Sequence, residues 1–338
     1  LRLLEEEAGI VPAEVRDIRR QKGLYKEAIK FLSEGRVEEG FDRLDGLGWI
    51  REIGERGRDK RLAADYIDAV KAGDSALVVS PTHVEKDRIT GEIRIALREE
   101  GRLDGDGREV FVLSSRQLTE AEKDDPAQYW PGDVLQFHQN AKGFRKGQRV
   151  DVGGGVVPRA GMADRFDVFR RGKLSLAPGD VIRVTRNGST ADRKHALHNG
   201  DLHRVRDFDP DGGLILENGW RVARDFGHID YGYVVTSHAA QGKTVDRVLV
   251  GQSADSFAAT SREQFYVSCS RGRKAVTVYT NDKAALRVQL ARSEHQMAAR
   301  DLLGALPVDR ERKILQRQRE AERRRLGTRL PARTPKQE

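Results

Sequence analysis

At 338 residues, with domains running near 150, the chain has room for two or three structural units. Hydrophobic residues make up 38%, and the 34 glycines bring the total to about 48%, an ordinary globular value that excludes disorder over the whole chain. The single cysteine, Cys269, excludes a disulfide framework and a cysteine-rich zinc site. No apolar run approaches the roughly 18 residues of a membrane span and no signal peptide is visible, so a cytoplasmic setting without membrane insertion is expected. The chain opens at Leu1 rather than Met, which suggests a piece of a longer protein.

The formal charge of +8 is unevenly placed. From Arg310 to Lys336 there are 11 basic residues and three acids, Glu311, Glu320 and Glu322, a local +8. The rest of the chain carries 50 of each sign and is neutral. Such a tail reads as a solvated helix or disordered arm, or else as a nucleic-acid arm; any site in the body must come from local patches.

In chain order, the segment 11–35 reads as helical, with Val15, Ile18, Ala28, Ile29 and Leu32 at helical spacings, a break near Gly23 and an end at Gly35. Short amphipathic helices follow at 37–46 and 61–73. The apolar run 75–80 is a buried parallel strand in pattern, and Pro81 and Thr82 introduce a helix carrying Ile89, Ile93 and Leu97. From about Gly105 the runs become short and turn-punctuated, at 108–114, 132–139, 179–187, 200–208 and 214–226, with DPDGG (209–213) as a hairpin turn. From Tyr231 the α/β texture returns, with strands near 231–237, 246–251 and 275–281, and a capping-box pattern, Thr260 and Glu263, opening a helix between the last two. The expected fold class is α/β: a parallel-sheet lobe over 1–107 and 231–285, interrupted by a small β-barrel over 108–230, with a basic helical or disordered tail over 286–338.

The string QGKT (241–244), directly after an apolar strand, invites a phosphate-loop reading. A Walker A loop needs glycine five positions before its Gly-Lys pair so that backbone amides can wrap phosphates, and that position is Ser237. A P-loop using Lys243 is therefore disfavoured.

Another pattern fits better. VTSHAAQG (235–242) resembles motif V of superfamily 1 helicases, YVSCSRGRKAVTVYT (266–280) resembles motif VI, and IRRQKG (18–23) resembles motif IV. GDVIRVTRN (179–187) with HNGD (198–201) resembles the barrel segment of RecD-like helicases. In this order and spacing, together with LRLLEEEAGI and VSPTHVEKDRI, residues 1–285 look closest to the helicase part of TrwC/TraI (MobF)-type conjugative relaxases. No Walker A or Walker B pattern stands in the chain, so the lobe holding ATP and Mg²⁺ is expected upstream of Leu1.

The resemblance implies a second RecA-like motor lobe with an SH3-like barrel, from a protein that nicks and unwinds plasmid DNA. It implies Arg271 as the finger that meets γ-phosphate charge, on the helix beginning near Ser261, with Arg20 as a second. Gln21, Gln241 and Gly242 would face the nucleotide. Thr236, Ser237 and His238, with Ser80, Thr82 and His83 at the same sheet end, would hold DNA phosphates. Arg183 and Arg186, with Trp220, would grip single-stranded DNA from the barrel. The implied partners are single-stranded DNA, the upstream lobe and relaxase domain, and the conjugative secretion machinery. The competing reading is a non-catalytic module that binds single-stranded DNA or that machinery.

Plainer readings stand beside these. Arg271 or Arg20, the latter flanked by Arg16 and Arg19, would serve as well in surface salt bridges. His195, His198 and His203 have no acidic or Cys partner spaced to complete a metal site. Cys269 fits a small buried position, and Trp130 fits either a barrel core or a base-stacking platform.

Overall fold

Apolar strands buried on both faces need helices on either side of their sheet, and this chain supplies them. A computed structural model describes residues 18–105, 107–153, 161–237 and 239–292. They begin with helices α1 (Gly23–Ser33) and α2 (Val37–Gly46), strand β1 (Ile50–Glu52), α3 (Glu55–Lys71), β2 (Ala76–Val79) and α4 (His83–Glu99). Next come β3 (Arg108–Ser115), the short α5 (Glu120–Lys123), β4 (Asp133–Phe137), β5 (Arg149–Asp151), β6 (Phe166–Leu176), β7 (Val181–Val184), β8 (Gly188–Ser189) and β9 (Ala196–Leu197). Then follow β10 (Leu202–Phe208), β11 (Leu214–Leu216), β12 (Arg221–Val222), β13 (Ile229–Tyr231) and β14 (Val234–Val235). The last are β15 (Val245–Gly251), α6 (Arg262–Cys269), β16 (Gly272–Thr280) and α7 (Lys283–Ala291).

Five strands form a parallel sheet in the order β1-β16-β15-β2-β14. Side chains alternate across it with period two. Leu77, Val79, Val248, Val250, Val276 and Val278 face a core shared with α1, α2, α6 and α7. Val78, Leu249 and Tyr279 face the opposite core, closed by Leu62 and Ile67 of α3 and by Ile89, Ile93 and Leu97 of α4. Leu62, Ile89 and Ile93 are fully buried, each worth about 1.5–3 kcal/mol relative to exposure.

The segment between α4 and β14 is antiparallel. It builds a four-stranded sheet, β3-β6-β4-β5, and a five-stranded sheet, β12-β11-β10-β7-β13, with β8 and β9 as a small separate ladder. The hairpin at 209–213 closes through Asp209 N–H to Gly213 O (3.0 Å) and Gly213 N–H to Asp209 Oδ1 (2.7 Å). Val110, Val112 and Leu176 of the first sheet join Ile182, Val205 and Leu216 of the second in one core, while Leu135, Phe137, Phe166 and Val168 hold another.

Three sequence expectations shift. The boundary at 285 falls inside α7, whose Leu286 and Leu290 are fully buried in the first core, so the lobe continues through that helix. Tyr231 still belongs to the insertion, in β13, and β14 is confined to Val234–Val235. Helix α6 is capped by Ser261, which accepts from Gln264 N–H (3.2 Å), instead of by Thr260. Thr260 is buried and donates to Ser256 O (3.0 Å). The helical stretch expected over 11–17 and the tail beyond 292 lie outside the described residues.

Candidate functional site

Two sites emerge, on different parts of the lobe. The first is built where the segment before α1 meets the turn between α6 and β16. Gln21 is buried, and its amide donates to Ser270 O (2.9 Å) and Gly272 O (2.5 Å). Tyr25 donates to Cys269 O (2.5 Å). Gly272 is required here: a Cβ would stand 2.7 Å from the Tyr25 hydroxyl and 2.5 Å from Ala275 O. These bonds lay Arg20 beside Arg271. Arg20 donates to Ser270 O, and Arg271 donates from Nε to Val267 O (2.8 Å) and from Nη2 to Ser270 Oγ (2.9 Å).

Arg271 stands on the turn two residues past the end of α6, a correction to its expected place on the helix; its guanidinium folds back on the Val267 carbonyl of that helix. Burial, and then the charge of Arg20, pushes Arg271 below the ordinary arginine value. Neither arginine meets a carboxylate within salt-bridge distance among the described residues. They open on a cleft of about 540 Å³ lined by Arg20, Gln21, Thr244, Tyr266, Arg271 and Arg273 among others. Its described lining holds several guanidiniums and no carboxylate. That chemistry suits an anionic phosphate group and offers nothing to hold Mg²⁺. Gln21 is spent on backbone carbonyls, so it shapes the cleft instead of presenting its amide to a ligand. Gln241 and Gly242 lie outside the cleft lining, on an exposed turn where Gly242 takes φ +78°.

The second site is a groove of about 720 Å³ between α4 and the insertion. His83, Lys86 and Arg94 line it from α4, Phe169 and Lys173 from β6, and Arg183 and Asp230 from the five-stranded sheet. Lys86, nearly buried, pairs with Asp230, and Arg183 lies 3.9 Å from the same carboxylate. Arg183 Nε is buried with no hydrogen-bond partner. Lys243 is partly buried, and burial followed by the Arg183 charge lowers its ammonium below the ordinary lysine value. Lys243 is absent from the described lining of the arginine cleft.

The remaining expected contacts divide. Ser80 is fully buried and donates to Glu85 Oε2 (3.1 Å), so it cannot present its hydroxyl to DNA. Glu85 Oε1 also meets fully buried Arg58 (2.9 Å), which pairs in turn with Asp59 (2.8 Å), so Ser80 belongs to an internal ionic network. Thr82 caps α4 by accepting from Glu85 N–H (3.3 Å). Ser237 is buried and bonded to Ser268 Oγ of α6 (3.2 Å), linking the loop after β14 to the helix that precedes Arg271. Thr236 is partly buried beside it, and His238 lies outside the described residues. Arg186 pairs with Asp167 (2.8 Å) away from the groove lining. Sequence reading missed Lys86, Arg94 and Asp230, whose helical spacing on α4 and pairing on β13 were the available signals.

The molecule is thus an α/β protein with a parallel sheet, an antiparallel insertion, an arginine-lined cleft and a mixed-charge groove. No protein-family model matches the chain. Over 165 residues it is 26% identical to the multifunctional conjugation protein TraI of Escherichia coli, a match covering 46% of this chain and 9% of that protein. The chain therefore resembles a TraI-type conjugation protein, as its motifs imply. Among solved structures, a Pif1 helicase from Bacteroides in complex with ADP-AlF3 and ssDNA is 13% identical, with a TM-score of 0.43. That match covers 82% of this chain and 53% of the other. Pif1 helicase from Candida albicans is 16% identical at a TM-score of 0.39, over 86% and 60%. The chain spans little more than half of each of these structures and a small part of TraI.

Among the described residues, no helix is long and apolar enough to cross a membrane.

Proposed function

We propose that the chain is the second RecA-like lobe of a superfamily 1 DNA helicase or translocase, within a cytoplasmic conjugative relaxase–helicase. The observation that carries this reading is the pairing of Arg20 with Arg271 at one cleft, with no carboxylate among the described residues to neutralise them. Placing two guanidiniums together in a partly buried site is unfavourable unless an anion joins them. In a two-lobed motor, that anion is the γ-phosphate of ATP, held with Mg²⁺ by a lobe outside this chain. The arginines then neutralise charge that develops as the phosphoryl group transfers. The groove between α4 and the insertion takes the phosphates of single-stranded DNA against His83 and Arg183, whose Nε has no hydrogen-bond partner among the described residues, while Lys86 and Arg94 are held by Asp230 and Asp180. The Ser237–Ser268 bond ties the loop after β14 to the element that precedes Arg271. The relaxase domain and the conjugative secretion machinery are partners of the longer protein on this reading.

The chain by itself is expected to bind single-stranded DNA without sequence preference and to hydrolyse no ATP. Its affinity should fall with salt at a log–log slope of about −0.7 per phosphate neutralised. Fluorescence anisotropy over a salt series, with Arg183→Met as comparison, tests this. The variant should bind more weakly, with a shallower slope. Equal slopes, or binding that vanishes when residues 310–338 are removed, would show that the groove is not the DNA site.

A further inference from the structure

Trp130 has no place in any of the hydrophobic cores and is 52% exposed. Its setting is nonetheless built. Asp133, fully buried, accepts from Trp130 N–H (3.0 Å) and Arg116 Nη1 (2.5 Å) at Oδ2 and meets Arg170 Nη2 (3.5 Å) at Oδ1. The two guanidinium carbons stand 5.0 Å (Arg116) and 4.6 Å (Arg170) from the centre of the indole ring. Arg116 is further fixed by donating to Gln128 O (2.7 Å). One carboxylate therefore fixes the Trp130 backbone and the two guanidiniums that stand over its indole, and more than half of the residue stays in solvent.

An indole flanked by two bonded guanidiniums has less freedom to lose when something stacks on its open surface, and exposure of an indole without such an occupant forfeits its burial. Arg116 lies between Ser115 and Gln117, and Arg170 follows Phe169; those three neighbours line the groove against α4, while Trp130, Arg116 and Arg170 are themselves absent from its lining. Successive side chains of a strand point to opposite faces, so Arg170 and the indole it stands over lie on the face of the four-stranded sheet turned from Phe169. Charge identifies the occupant. Two guanidiniums are only partly neutralised by one carboxylate, so the occupant is anionic as well as flat.

We propose that Trp130, with Arg116 and Arg170, is a base-stacking platform that takes an unpaired nucleobase and its adjoining phosphate from single-stranded nucleic acid at the four-stranded sheet. This site rests on the DNA-binding reading above and adds base contact to it, at a place separate from the groove lining. The indole stacks on the base, which every nucleobase permits, so the site is sequence-tolerant; the arginines meet the phosphate.

The test uses the whole chain with a labelled oligothymidylate and the same strand carrying abasic sites, which keeps the phosphates and removes the bases. The wild type should prefer the intact strand. Trp130→Ala should weaken the intact strand by about 5- to 100-fold, the range for one lost base–aromatic stack, and change abasic binding by less than about two-fold. Trp130→Phe should retain most of the affinity, while the quenching of tryptophan emission by the intact strand, reported against Trp49 and Trp220, should largely disappear. A wild type that binds but does not distinguish the strands, or an alanine variant that binds the intact strand as the wild type does, overturns the platform and leaves the groove standing. A wild type that binds neither strand overturns both. Should the alanine variant fail to fold, undiminished quenching in Trp130→Phe overturns the platform on its own.

Discussion

Single side chains in this molecule are readable by what they are bonded to. Ser80 looked available to DNA because it ends an apolar strand, yet its hydroxyl serves Glu85 five positions later. Residue type and position are the same in both readings; only the third dimension separates them. Arg20 and Arg271 were legible as a pair of motifs, whereas their common carbonyl partner region and the loss of Gln21 to Ser270 and Gly272 were not. His228 was not singled out at all. It is 2% exposed, its Nε2 bonded to Gln136 Oε1 (2.6 Å) between Phe169 and Phe226, and burial followed by the charges of Arg149 and Arg186 lowers it to about 3. The unfolded chain binds that proton near pH 6.5, so between about pH 3 and 6.5 unfolding takes up a proton and stability rises with pH. The contribution is complete above pH 6.5 and lost as pH falls toward 3. Linkage gives about 2 kcal/mol between pH 7 and pH 5. Denaturant unfolding of wild type and His228→Leu at both values should show a smaller pH dependence in the variant; equal dependence would mean that His228 titrates normally.

Elements were legible where their patterns were strong. The run 75–80 and the residues after Thr82 carry β2 and α4, because continuous apolar strands and a four-residue apolar repeat have few alternatives. The longest strand, β6, was missed. Its centre is Arg170-Arg171-Gly172-Lys173, largely exposed and without apolar alternation, and it is held as a strand by pairing with β3 on one side and β4 on the other. The division of the insertion into two sheets follows from that strand and was hidden with it. At this scale the ionic network under the sheet's end also matters. Arg58, Asp59 and Glu85 tie α3 to α4, and Glu85 further accepts from Ser253 N–H (2.9 Å) beyond β15. Glu85→Ala would leave Arg58 buried with one partner fewer. Removing one member of a buried pair costs about 3–5 kcal/mol, so the variant's urea midpoint should fall accordingly. A loss below about 1 kcal/mol would show that water reaches and solvates Arg58.

At the scale of the whole molecule, two candidate sites stand apart. The arginine cleft and the proposed DNA groove lie on different elements; the loop after β14 reaches the first, where Thr244 lines the cleft and Ser237 is bonded to α6. On the reading proposed above, the cleft works with a partner lobe that presents a triphosphate. The most direct measurement is DNA-stimulated ATP turnover in the complete protein carrying Arg271→Ala, with nucleotide affinity measured beside it. The account predicts that ATP still binds while turnover falls by about 10³–10⁵, the worth of a positioned arginine in phosphoryl transfer. Arg271→Lys should restore it only in part, because an ammonium lacks the forked geometry. Turnover within about tenfold of the wild type, well short of that range, would contradict the assignment and leave Arg271 as the side chain that closes the end of α6.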